Sequence, residues 1–141
     1  MHRQSRREFL RAAPGTLAVV LFAPAVLSAT RMRNAGGPHP TPRAGISAAK
    51  VATDVQLAKH SDAIATFALA RQIPEILDGV RCQCGCIDGK AYYSLLSCFE
   101  TPDMMAAECQ VCQAQARLAH RLHSAGKSLD EIRKGIDAKF G

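Results

Sequence analysis

The chain has 141 residues, enough for one small domain with appendages. Aromatic content is 5% with no Trp, so a core must come from Ala, Leu, Ile and Val, and six cysteines in so short a chain point to crosslinks or a metal supporting it. Residues 1–28 carry four of the 18 Lys and Arg and one of the 12 Asp and Glu, so the remainder holds 14 bases against 11 acids, a net +3 that is too small and too scattered to argue for nucleic acid.

In chain order, SRREFLR (residues 5–11) precedes the apolar run AAPGTLAVVLFAPAVLSA. The Arg6–Arg7 pair followed by that run reads as a twin-arginine export signal over residues 1–29, departing from the usual S/T-R-R-x-F-L-K pattern only at Arg11. As a membrane anchor the run is broken by Pro14, Gly15 and Pro24, and it falls short of the roughly 20 residues a span needs. Small residues allow cleavage after Ala25 or Ser28. The expectation is an exported protein, periplasmic or extracellular, with no stable membrane span once the signal is removed. Residues 30–45, TRMRNAGGPHPTPRAG, read as a flexible linker in which His39 faces solvent.

Residues 46–141 read as a helical, cysteine-rich domain. Val51, Val55 and Ala58 recur at helical spacing, as do Ile64, Phe67 and Ala68, with a second start at Ser61–Asp62 if the segment breaks near His60. Pro74 suits the first turn of a short helix, PEILDGV, that delivers the chain to Cys82, Cys84 and Cys86. Cys98 follows in YSLLSCFE. A longer helix is expected from Thr101 as cap, with Pro102 in its first turn, to a stop at Gly126. On it Met105, Cys109 and Cys112 fall at i, i+4 and i+7, and Ala116 and Ala119 continue the stripe. The last helix carries a Ser128–Glu131 capping box, with Leu129, Ile132, Ile136 and Phe140 on one face. The fold class expected is all-α, a small domain of about four helices with a cysteine-rich loop.

Three chemistries compete for the sulfur. An even cysteine count in an oxidising location suits three disulfides, hence a stapled structural or interaction domain. The C-x-x-C of Cys109 and Cys112 suits thiol–disulfide exchange, but two turns into a helix the dipole that activates a thiol has faded. Alternate thiolates in a loop facing two more on a helix suit a soft metal, and sulfur selects Cu(I), zinc or iron–sulfur clusters. The iron–sulfur electron carrier lacks supporting ligand spacing. His120 and His123 are surface or partly packed residues on this reading, and Tyr92 and Tyr93 are packing groups. No Ser-His-Asp set, phosphate loop or catalytic carboxylate pair is visible, so the chain is not expected to be an enzyme.

IPEILDGVRCQCGC, YYSLLSCF, MAAECQVCQAQA and GKSLDEIRKGIDAKFG together resemble the PCYCGC-motif proteins, small exported or lipid-anchored bacterial proteins, from about Thr66 to the C-terminus. The usual family pattern is C-Y-C-x-C, then G-H-x-S-L-x-x-C-F, then H-A-A-x-C-x-x-C. Here Gln83 replaces the Tyr, Tyr92 and Met105 stand at the two His positions, and Ala114 and Gln115 replace common acidic residues; all six cysteines remain. If the family's histidines are ligands, the resemblance implies an almost purely sulfur set here, which moves the preference toward Cu(I). The expected metal ligands are Cys82, Cys84, Cys86, Cys98, Cys109, Cys112 and Met105. They would bind Cu(I) first and zinc second, for buffering or for transfer to or from a metal-accepting or metal-donating protein.

Overall fold

The structure is a computed structural model and describes residues 37–85 and 92–141. The export signal, residues 30–36 of the expected linker, and Cys86 lie outside the described residues. Four α-helices follow in order: α1 Ile64–Gln72, α2 Pro74–Asp78, α3 Gln110–Ser124 and α4 Leu129–Phe140. Short 3-10 turns occupy Ala48–Lys50, Leu96–Phe99 and Met105–Ala107. Among the described residues there is no strand, only an isolated bridge between Val51 and Glu100. The domain is all-α, as its apolar periodicity implies.

Helix α3 is the centre of the packing, touching α1, α2 and α4. Its inward stripe of Cys112, Ala116 and Ala119 is fully buried. Small side chains there let neighbouring elements approach closely. Phe67 of α1 meets Phe99 edge-on, with ring centroids 4.8 Å apart, and this pair anchors the core. Gly126, at φ +76°, ends α3 in the left-handed conformation that glycine adopts without strain. Helix α4 starts with the expected capping box: Ser128 Oγ accepts the Glu131 N–H, and the Glu131 carboxylate accepts the Ser128 N–H. Ile132 and Ile136 are buried on its inner face.

Two expected helices are shorter than the sequence suggests. Residues 46–63 form turns rather than helix, because long-range backbone bonds compete for their polar groups: Ala52 N–H donates to Phe99 O, and Thr101 N–H to Lys50 O. Val55, on the expected apolar face, is 86% exposed. The break near His60 is present, and α1 starts at Ile64 without a side-chain cap. The second correction concerns the residues before α3. Met104 takes the left-handed conformation (φ 44°), which an α-helix cannot continue through. The buried Gln113 amide donates to the carbonyls of Ala106 and Ala107. The α-helix therefore begins at Gln110, not near Thr101.

Residues 37–45 lie against the helices. Arg43 binds Asp78 through its backbone N–H and its guanidinium, and Tyr93 O–H donates to Thr41 O. His39 is not the exposed residue expected: its side chain is 14% exposed and binds Asp137. Among the described residues no helix is long and apolar enough to cross a membrane.

Candidate metal centre

Three elements deliver sulfur to one place. The segment after α2 brings Cys82 and Cys84, the Leu96–Phe99 turn brings Cys98, and the start of α3 brings Cys109 and Cys112. A bond from Leu95 N–H to Val80 O at 2.7 Å ties the chain leaving the cysteine loop to the chain entering it. Gly85, at φ +82°, turns the backbone directly after Cys84. Gln83 fixes the loop from both sides: its N–H donates to Gln115 Oε1 at 3.0 Å, and its amide donates to Asp137 at 2.8 Å. Asp137 is held in turn by His39 Nε2, while His39 Nδ1 accepts the Arg81 N–H. With Nδ1 accepting, Nε2 carries the hydrogen toward the carboxylate.

Five sulfurs crowd together without a disulfide among them. Cys82 and Cys84 Sγ are 3.2 Å apart, and each lies 3.5 Å from Cys112 Sγ. Cys109 Sγ lies 2.8 Å from Cys112 Sγ. The sulfurs of Cys82, Cys84 and Cys112 all lie within 4.8 Å of one another, a group that could hold a metal ion. Sulfurs bound tetrahedrally to one zinc at bonds of about 2.3 Å stand about 3.8 Å apart. The cluster needs to open by only a few tenths of an ångström to admit an ion. Cys82, Cys98 and Cys112 are buried, whereas Cys84 and Cys109 are partly exposed.

The buried thiols share protons unequally. Hydrogen bonds from Cys112 first, then from Cys84 and Cys98, push Cys82 far down toward the thiolate. The same contacts, led by that with Cys82, push Cys112 up and hold its proton. Gln115 Nε2 also approaches Cys82 Sγ, at 3.7 Å.

Of the expected ligands, the structure gathers Cys82, Cys84, Cys98, Cys109 and Cys112. Met105 loses the register that linked it to the cysteines. It sits in a 3-10 turn outside α3, partly buried, and lines a cavity of about 170 Å³ with His60, Asp103, Met104, Ala107 and Glu108. Cys109 is not deep in a helix but caps α3, its sulfur accepting the Cys112 N–H at 3.3 Å. His120 binds Gln72 and His123 is exposed, away from the sulfurs. Tyr92 O–H donates to Asp103. Sequence reasoning missed the supporting polar groups Gln83, Gln115, Asp137 and His39. The one signal for Gln115 is its spacing three residues after Cys112, on the same helical side.

The family model described as a protein of unknown function with PCYCGC motif matches residues 43–141, which include every described cysteine and all four helices. No curated protein and no solved structure matches the chain.

Proposed function

The chain belongs to the PCYCGC-motif family, and from that premise we propose that it is an exported protein that binds a soft metal ion, Cu(I) first and zinc second, for buffering or delivery. The observation that carries this reading is the group formed by Cys82, Cys84 and Cys112, whose ligand atoms are all sulfur. Thiolates select Cu(I) and zinc over hard cations. Among the described residues the mutually close set is three sulfurs, and the softness of an all-sulfur donor set is what supports Cu(I) first. Cys82 and Cys112, both buried, would anchor the ion. Cys84 and Cys109, partly exposed, mark the side from which a partner's thiolates would exchange it. Export rests on the Arg6–Arg7 pair and the apolar run after it.

Competition titration of the reduced chain with Cu(I) and Zn(II) tests this, together with thiol counting before and after chelation. Tight Cu(I) binding, weaker zinc binding and thiols that react only after chelation are expected. Cys84→Ser should weaken Cu(I) binding at least tenfold. A protein that binds neither metal, or that loses about six hydrogens as three disulfides when isolated from its native compartment, overturns the reading.

A further inference from the structure

We infer that Cys109 and Cys112 form a redox couple, a dithiol that a disulfide-bearing partner oxidises, with Cys109 as the attacking thiol and Cys112 as the resolving one. The positions follow from where α3 begins. Cys109 is the N-cap of a 15-residue helix, and Cys112 lies in its first turn. That is the placement of C-x-x-C pairs that exchange disulfides, with the first cysteine at the helix start and the second one turn inside. The Cys112 N–H points at Cys109 Sγ, 3.3 Å away, and the two sulfurs are 2.8 Å apart, closer than Cys82 to Cys84 (3.2 Å) or Cys112 to either loop sulfur (3.5 Å). Exposure differs in the sense the roles require: Cys109 is partly open to solvent and Cys112 is fully buried. Between them Val111 is 41% exposed, an apolar contact for an approaching partner beside the attacking sulfur.

The electron balance is complete with one external disulfide. The Cys109 thiolate attacks one of its sulfurs, forming a mixed disulfide and releasing the first thiol. Cys112 then gives up its proton and attacks Cys109 Sγ, closing the internal disulfide and releasing the second thiol. Two protein thiols are oxidised by two electrons, and the external disulfide is reduced to two thiols. Cys112 also lies 3.5 Å from both Cys82 and Cys84, so its oxidation removes a sulfur from the proposed metal group. That consequence, redox-controlled metal release, rests on the function proposed above; the couple itself does not.

The test uses the full chain, reduced and stripped of metal, in mixtures of oxidised and reduced glutathione, followed by acid quench, alkylation and mass-spectrometric mapping. A loss of two hydrogens confined to the Cys109–Cys112 peptide is expected, with the other cysteines still alkylated. Cys112→Ser should trap one glutathione on Cys109. A bond mapped to Cys82–Cys84 or between the loop and α3, or no bond in the most oxidising mixture, overturns the couple. The wild-type map decides this even if the variant fails to fold. Cu(I) titration of both forms then separates the two ideas. At least tenfold weaker binding by the oxidised form supports gating, and equal binding removes it. A reduced chain that binds no metal sinks the metal reading while the mapped disulfide still stands.

Discussion

Gln115 holds the cysteine loop to α3 with a single amide. Its carbonyl oxygen accepts the Gln83 N–H, and its nitrogen donates to Val111 O at 3.3 Å and faces Cys82 Sγ. It is fully buried, and the Gln83 N–H it serves would otherwise be desolvated without a partner. Gln115→Met keeps the volume but orphans the Gln83 N–H. A loss of about 1–3 kcal/mol is expected from the midpoint of urea unfolding, with the slope unchanged. A loss within about 0.5 kcal/mol would mean that water replaces the amide at the loop. The six cysteines were legible because their spacing is a chemical pattern. Gln115 was not, because a glutamine on a helix ordinarily reads as a solvated position, and only the loop folded over it makes it interior.

At the scale of elements, residues 37–45, the end of α2 and the start of the Ser94–Phe99 stretch meet on one carboxylate. Asp78 is fully buried and accepts from Arg43 N, from the Arg43 guanidinium at 2.6 Å and from Ser94 Oγ at 2.8 Å. Burial alone pushes its carboxyl up, but the bonds from Arg43 and Ser94 outweigh it and leave it below the usual range. A carboxyl lowered on folding adds stability above its unfolded value near 4 and loses it as pH falls through the folded one. The two partners are not equivalent. Arg43→Ala strands a buried charge and should cost about 3 kcal/mol or more. Asp78→Asn leaves a 40% exposed guanidinium that water can serve, and about 1.5–3 kcal/mol is expected. Thermal melts at pH 7 and pH 3 check both: the gap between wild type and Arg43→Ala should narrow in acid, and a constant gap would deny the ion pair its role. This docking is what composition hid. Gly and Pro mark 30–45 as irregular, which for 37–45 is true, but irregular backbone can still be pinned by one buried acid. The same competition explains the helix boundaries. The α4 cap and the Cys112–Ala116–Ala119 stripe are local and readable, whereas residues 46–63 give up helix to partners far along the chain, and residues before Gln110 give it up to the Met104 turn and the Gln113 amide.

Over the whole molecule, the sulfurs come from segments distant in sequence, with Cys82 and Cys112 separated by 30 residues. An ion held by both therefore recognises the folded chain and stabilises it by mass action. At a free metal concentration 100-fold above the dissociation constant the gain is about 2.7 kcal/mol, reduced by whatever the Cys-x-Cys and C-x-x-C pairs bind when unfolded. For a domain of 60–100 residues each kcal/mol raises the melting temperature by about 4–8 °C. A rise on the order of 10 °C on adding Cu(I) to the reduced protein is expected, reversed by a chelator and followed by calorimetry. Cys112→Ser should abolish most of that rise, because Cys112 is the member that α3 supplies to the mutually close group with Cys82 and Cys84. The discriminating result is tight binding with no thermal shift. Metal would then sit on a local pair that the unfolded chain offers equally well, and the convergence of three elements would serve the core rather than the ion.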